Sequence, residues 1–408
     1  METRIIKYSI LALIGAILFG GGYILGQSSY APFVFFGPSN TTPEEAAADF
    51  QPFWEAWRLL HNEYYDQPLD NVQLAEGAIQ GMLNTLEDPN TRYLSPEQEN
   101  AARSSMQGEI EGIGAEVTEA EDGSIVIVSP YEGSPAEDAG LQPGDILREA
   151  DGVPLTGMPV SEAAALVRGP AGTVVNLTIE REGETFQVEV TRGVIRVPSV
   201  RGEILENNIA YARLSRFGNE SAAELNQLLT ELLAQNPSGL ILDLRGNPGG
   251  ALETAIGIAD EFLPEGLILT EQFGNETDKI FEATDEGVAQ EIPLVILIDQ
   301  GSASASEVLA GAIRDRERGV LIGTTTFGKG TVQTWWSLSN QGGLRITTAR
   351  WLTPAGTWVH DTGLEPDYFV ALPDVETPEE FTDTQLEAAV DYLTGEPVIE
   401  TKRTDVGN

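Results

Sequence analysis

Cysteine is absent from the 408-residue chain, which excludes disulfides, thiol catalysis and cysteine-ligated metal while leaving the compartment open. Histidine is nearly absent, with only His61 and His360, so the commonest general base is scarce. Lysine is scarce too: Lys7, Lys279, Lys329 and Lys402 are the full set. Basic residues number 23 against 64 acidic ones, a formal net charge of −41 that argues against nucleic acid or an anionic lipid surface as a partner. The acidic excess reads as the solvated faces of a soluble body. With 41% hydrophobic residues at this length, there is material for two or three domains and at least one large core.

No charge occurs from Tyr8 to Leu25, and Arg4 and Lys7 precede that run. Its length meets the minimum for a membrane span, and the basic flank predicts a cytoplasmic N-terminus. A cleaved secretory signal is the alternative, but the run is long for one and no clean small-x-small site follows Leu25. Residues 1–26 are therefore expected to form an uncleaved anchor, and either reading puts the bulk of the chain outside the cytoplasmic membrane. Residues 27–42 read as a linker and Thr42-Pro43-Glu44-Glu45 as a helix start. The pattern stays helical to about Gln98, with Phe53, Trp57, Leu60 and Tyr64 at three- and four-residue spacing and a second helix over 73–86 stopped by Asp88-Pro89-Asn90. The aromatic stripe suits a core or a self-association face.

Residues 108–190 change to short strands between glycine turns (GIGAEV, SIVIV, DILREA, TVVNLTI, TFQVEV) with short helices at Pro135–Ala139 and Val160–Arg168, a compact strand-rich module. Within it, Gly112-Ile113-Gly114-Ala115 leads straight into a strand. Glycines there let consecutive backbone N–H groups point outward, as they do where a peptide's terminal carboxylate is captured before the peptide adds to a sheet edge. A plain tight turn is the other reading, and the residues leave both open. A dinucleotide site is excluded, because the third glycine and the following helix are missing.

From about Ile209 to Val370 the order is strand, loop, helix. Leu240–Leu244 is apolar apart from Asp243 and precedes Arg245-Gly246-Asn247-Pro248-Gly249-Gly250 and a helix to Phe262; Leu294–Ile298 precedes Ser302, Ser304 and Ser306 and a helix to about Arg318; Val320–Ile322 is a third strand. Continuous apolar strands alternating with helices predict an α/β core, a largely parallel sheet covered on both faces. The loops at the carboxyl ends of such strands share one rim, where sites form. The Gly250 loop, the serine run and Lys329 fall on that rim. Further strands are expected at TVQTWWS, LRITTARWL, WVHD and DYFVAL, with a closing helix over Thr382–Leu393.

A serine hydroxyl needs a base within hydrogen-bond reach to act as a nucleophile. Neither histidine falls on the predicted rim, whereas Lys329 stands there between Gly328 and Gly330, just past a buried strand. Burial would depress its pKa, as a lysine base requires, and Ser-Lys pairs are a known variant of the triad. The helix N-terminus after the serines and Gly249-Gly250 would supply N–H donors for an oxyanion, and Gln333 could hold the amine. Ser304-Ala305-Ser306-Glu307 also fits a capping box, so a purely structural role competes, and the spacing alone does not choose among the three serines. GTTTFGK is a near-miss for a phosphate loop, with Gly330 where Ser or Thr belongs and a strand where a helix should follow.

SASASEVLAGAIRD followed by GTTTFGKGTVQ resembles the active-site region of the carboxyl-terminal processing proteases, the tail-specific serine peptidases of family S41. DLRGNPGG is similar to their oxyanion loop, GIGAEV with SPAEDAGLQPGDIL to their PDZ domain, and GTWVHDTGLEPDYFV to their closing strands; GAIQGMLNTLEDPNTRYL in the N-terminal helical segment is similar too, so the likeness runs over about residues 45–372. The resemblance implies Ser304 as nucleophile, Lys329 as general base, Gln333 as the lysine's orienter and the Gly250 and Ala305 amides as oxyanion hole. It further implies that Gly112, Ile113 and Gly114 receive the substrate's C-terminus. The expected organisation is an anchor (1–26), a linker with N-terminal helices (27–107), a PDZ domain (108–190), a protease core (191–372) and a helical tail (373–408). The expected function is a membrane-anchored, extracytoplasmic serine endopeptidase. It would act on protein substrates with accessible C-termini through an acyl-enzyme, needing neither metal nor cofactor, with self-association through the N-terminal helices. The competing classes are a non-catalytic scaffold that binds C-termini and a nucleotide-binding protein.

Overall fold

The computed structural model describes residues 46–401 apart from 121, 132, 275–276 and 374–380. The run at 8–25, the linker and the helix start at Thr42 lie outside these residues, as do Lys7 and Lys402. Among the described residues no helix is long and apolar enough to cross a membrane.

The chain divides into Met1–Ala75 and Glu76–Asn408. In the first unit, helix α1 (Gln51–Glu63) carries the aromatic stripe. His61 stacks on Trp57, and its Nε2 lies 2.6 Å from Asn71 Oδ1. No residue of α1 is buried among the described residues, and Phe53 and Trp57 are partly covered. Helix α2 (Asn71–Asn84) follows. The expected helical run to Gln98 is interrupted by strand β1 (Arg92–Leu94), which buries Tyr93 and Leu94. Helix α3 (Pro96–Gln107) then starts afresh from Ser95, whose side chain accepts the Gln98 N–H while Gln98 caps Ser95 in return.

Strands β2 (Glu109–Gly112), β3 (Ala115–Glu119), β4 (Ile125–Pro130), β5 (Ile146–Ala150), β6 (Val153–Pro154), β7 (Val174–Arg181), β8 (Glu184–Thr191) and β9 (Gly193–Arg196) build the strand-rich module with helices α4 (Pro135–Asp138) and α5 (Val160–Val167). The order β3-β4-β5-β7-β8 is antiparallel throughout, and β2 pairs with β9, closing the module's entry against its exit. Ile125, Ile127, Leu147, Leu177 and Ile179 are buried at alternate strand positions and form its core.

The remainder comprises β10 (Val200–Ile204), β11 (Ile209–Leu214), α6 (Ser221–Leu233), β12 (Gly239–Asp243), α7 (Leu252–Asp260), β13 (Gly266–Phe273), β14 (Lys279–Ala283), β15 (Leu294–Ile298), α8 (Ala305–Asp315), β16 (Val320–Gly323), β17 (Thr331–Ser337), β18 (Gly343–Leu352), β19 (Tyr368–Phe369) and α9 (Thr384–Thr394). One sheet runs β10-β11-β12-β15-β16-β19 and is parallel except at β10, the mixed α/β core expected. Because strand side chains alternate, Leu240, Leu242, Ile296 and Ile298 join one core with α6, α7 and α8. Ile241, Val295 and Leu297 face α9 across the sheet. Helix α8 is apolar nearly all round and buried from Ala305 to Ile313, with Glu307 its one charged buried residue.

A second, antiparallel sheet (β1-β18-β13-β14, with β17 on β18) was only partly anticipated. Strands β13 and β14 lie outside the strands expected from the sequence. WVHD is not a strand, because Val359 O accepts the N–H groups of Thr362 and Gly363 in a turn. DYFVAL shrinks to the two residues of β19.

Candidate active site

The three loops at the carboxyl ends of β12, β15 and β16 are stitched together by buried polar contacts. Asp243 is fully buried and accepts from Arg245, Tyr211 and Arg213. Burial alone would raise its pKa, but the Arg245 guanidinium outweighs that and holds the carboxyl below the usual carboxylate range. Arg245 continues to Asp383 at 2.7 Å, fixing the start of the glycine loop. Asn247 Nδ2 donates to Leu214 O, and its Oδ1 accepts the Gly249 N–H.

The three serines separate here. Ser302 and Ser306 are buried, and their hydroxyls donate to the carbonyl oxygens of Leu244 and Asn247 at 2.8 and 2.9 Å. The Ser304 hydroxyl donates to no carbonyl or side chain among the described residues and lines a cavity of about 660 Å³. Ser304 has φ 56° and ψ −112°, a sparsely populated backbone state that costs about 1–3 kcal/mol. The turn is held by its neighbours: Ser304 N–H donates to Glu307 Oε2 at 2.8 Å, and Ser304 O accepts from Glu307 and Val308. A strained strand-to-helix turn of this kind thrusts a serine side chain into open space.

Lys329 lines the same cavity, together with Gly250, Ala305 and Gln333. Its backbone is pinned on both sides, N–H to Glu307 Oε2 at 2.8 Å and O to the Trp351 indole at 3.0 Å. Its Nζ makes no hydrogen bond and no ion pair among the described residues. Burial first, then the positive charges of Arg345 and Arg92, push its pKa below the ordinary lysine value, against a smaller opposing pull from Glu307 and Asp88. No hydrogen bond joins Nζ to Ser304. The Gln333 amide nitrogen donates to Thr331 and Thr347 rather than meeting Lys329, and its amide oxygen accepts no hydrogen bond among the described residues. The β17–β18 register shifts between Val332 and Gln333, the kind of irregularity that re-aims a side chain.

Gly250 and Ala305 carry backbone N–H groups without an acceptor among the described residues. Gly250 bridges Phe217 through its neighbours, Phe217 N–H to Gly249 O and Ala251 N–H to Phe217 O, which leaves its own N–H free. Ala305 is the first residue of α8, where no helical acceptor exists. A Cβ on Gly249 would lie 2.9 Å from Ala305 N and 3.0 Å from Ser304 Cβ, so glycine is what permits this approach. The same absence of acceptors recurs at Ile113 and Gly114, whose N–H groups border a second cavity of about 500 Å³ lined by Gly112, Val117, Leu147 and Val167. At φ +76°, a Cβ on Gly114 would run into Ser134 and Ile195.

Glu307 is the residue whose importance the sequence understated. Fully buried, it accepts from Ser304 N–H, Thr326 Oγ1–H, Gly328 N–H and Lys329 N–H, tying the serine's helix to the lysine's loop. Two amides of GTTTFGK, those of Gly328 and Lys329, are thus filled by the protein's own carboxylate, and those of Thr324, Thr326 and Phe327 by the carbonyls of Ile298, Leu364 and Ser302. His360 lies nearer than its sequence position suggests, with Nδ1 accepting the Gly330 N–H at 3.3 Å, but it does not line the cavity. Arg345, Trp335 and Phe281 form the wall opposite the loops; they come from the second sheet and were not anticipated. Among the described residues no group of three or more His, Asp and Glu side chains is placed to hold a metal.

Residues 208–370 match peptidase family S41, residues 126–181 a PDZ domain and residues 27–98 the activating protease CtpB N-terminal domain. The chain is 38% identical over 327 residues to the carboxy-terminal processing protease CtpA of Bacillus subtilis (strain 168), covering 80% of this chain and 70% of that one. It is 39% identical over 359 residues to the carboxyl-terminal-processing protease of a Synechocystis species, covering 86% and 84%. A solved S41 protease from Bacteroides fragilis NCTC 9343 aligns over 83% of this chain and 96% of that one with a TM-score of 0.54 at 18% identity, a likeness of fold alone. The fold is that of a serine-type peptidase core joined to a PDZ domain. The chain belongs to peptidase family S41, among the carboxyl-terminal processing proteases.

Proposed function

We propose that this chain is an endopeptidase with a Ser304–Lys329 dyad that cuts protein substrates near their C-termini. The observation that carries the reading is a single cavity holding one uncommitted serine hydroxyl, one unpaired lysine of depressed pKa and two unsatisfied backbone N–H groups. Neutral Lys329 Nζ takes the Ser304 Oγ proton as Oγ attacks the scissile carbonyl carbon. The resulting oxyanion is met by the N–H groups of Gly250 and Ala305. Collapse breaks the C–N bond, Lys329 returns the proton to the leaving amine, and an ester remains on Ser304. Water then attacks that ester with Lys329 as base, releasing the acid and restoring the serine. Proton transfer needs a contact of about 2.6–3.2 Å, so Nζ must swing onto Oγ when substrate arrives, as apo contacts commonly tighten on binding. The Gln333 amide oxygen is free to receive the ammonium formed.

In this reading the groove at Ile113 and Gly114 takes the substrate's terminal carboxylate, leaving its upstream chain for the cleft. The uncharged run at 8–25 serves as an anchor holding the catalytic part extracytoplasmic, and the exposed aromatic face of α1 serves self-association. The test uses one unstructured peptide as free acid and as C-terminal amide. Wild type is expected to cut the free acid at least about tenfold faster in kcat/KM, the size of one charge-assisted contact. Ser304→Ala is expected to cut neither. Equal cutting of acid and amide would remove the groove from the account, and cutting by Ser304→Ala would remove the nucleophile.

A further inference from the structure

The Ser304 cavity is lined by an arginine that has no ion-pair partner among the described residues. Arg345 lies on β18, half-buried, with its guanidinium 4.7 Å above the Trp335 ring. Its Nε is buried without a hydrogen-bond partner. No carboxylate lies within ion-pair distance of it among the described residues. The register makes matters worse, since Arg92 of β1 sits directly opposite Arg345, and like charges facing across strands repel. Glu99 is the carboxylate whose charge acts on Arg345, but it forms no ion pair with it: Oε1 goes to Arg103 at 2.8 Å and Oε2 is buried without a hydrogen-bond partner. In a chain with 64 acidic residues to 23 basic ones, a desolvated arginine left unpaired is costly and cannot shed its proton.

We propose that Arg345 is a specificity-determining residue whose partner is a carboxylate of the bound substrate. A planar guanidinium held by an aromatic ring is pre-set for two parallel hydrogen bonds to a carboxylate. Arg345, Ser304 and Lys329 line one cavity, so the occupant is a group on the peptide close to the cut: an Asp or Glu side chain, or the chain-terminal carboxylate of a short tail. This rests on the cleft being the peptide-cutting site, as proposed above.

The experiment uses fluorogenic peptides of one sequence carrying Glu or Gln at each of three positions either side of the cut, each as free acid and amide. Wild type, Arg345→Gln and Arg345→Lys are compared, with thermal unfolding as the folding control. In wild type one placement of the carboxylate is expected to raise kcat/KM about tenfold over its neutral twin. That ratio should fall to about one in Arg345→Gln and lie between in Arg345→Lys, which keeps the charge but loses the fork. A ratio tied to the side-chain arm identifies an acidic residue; one tied to the acid-versus-amide arm identifies the chain end. Ratios that are the same in wild type and Arg345→Gln overturn the assignment. Because each ratio is internal to one enzyme, cutting that survived Ser304→Ala would sink the dyad and leave the Arg345 ratio to be judged on its own.

Discussion

Lys329→Ala is expected to lower kcat by about three to six orders of magnitude while the protein stays folded, because in the proposed mechanism the serine loses its base. Lys279, the other lysine among the described residues, lines the same cavity but is engaged by Glu271 at 3.9 Å and lies over the Phe281 ring, and His360 is turned onto Gly330. The variant should be at least as stable as wild type. Burial lowers the Lys329 pKa, so the unfolded chain binds more protons between the folded value and about 10.4. Stability therefore rises with pH across that window, and the full cost of the buried ammonium is present below it. Deleting the amine relieves that cost at neutral pH. The rate follows the same ionisation: kcat/KM should climb with pH as Lys329 loses its proton. In Arg345→Gln, where a nearby like charge is gone, the climb should move to higher pH. Activity of Lys329→Ala within tenfold of wild type, or an unmoved acid limb in Arg345→Gln, would contradict the assignment of the base.

Glu307→Gln is expected to cost stability and rate together. The carboxylate satisfies four donors, and the amide replaces an acceptor with an NH₂ that faces N–H groups. Leaving buried donors unpaired in this way costs about 3–5 kcal/mol, read from urea unfolding. The same change frees the Ser304 turn to leave its strained state and loosens the loop bearing Lys329. A fall in kcat of about 10²-fold or more is therefore expected, since a displacement of about 1 Å is enough. A Glu307→Gln protein with wild-type stability would show that the buried carboxylate is not what joins the two loops.

The sequence carries the sheet and the lysine legibly, and for a physical reason. Leu240–Leu242 and Leu294–Ile298 are buried on both faces, so each is an unbroken apolar run with helices either side. Lys329 stood out because so few bases exist to compete with it. Ser304 was different: resemblance chose it, and composition could not. What separates it from its neighbours is the pair of carbonyls that occupy Ser302 and Ser306, 58 and 59 residues away in the chain. The opposite wall was equally hidden. Strand β14 has no buried residue and alternates weakly, and Arg345 looks like any basic strand residue until β1 and β17 are laid beside it. WVHD has strand composition but meets a turn at Val359.

In the proposed mechanism the Ser304 oxygen becomes an ester during turnover. Wild type mixed with a slowly cleaved ester or peptide substrate and quenched in acid within the first turnover should carry one added acyl group by intact mass. Peptide mapping should put it on Ser304, and it should be absent from Ser304→Ala. An adduct on Ser302 or Ser306, or substrate turnover with no acyl group on any serine, would contradict it.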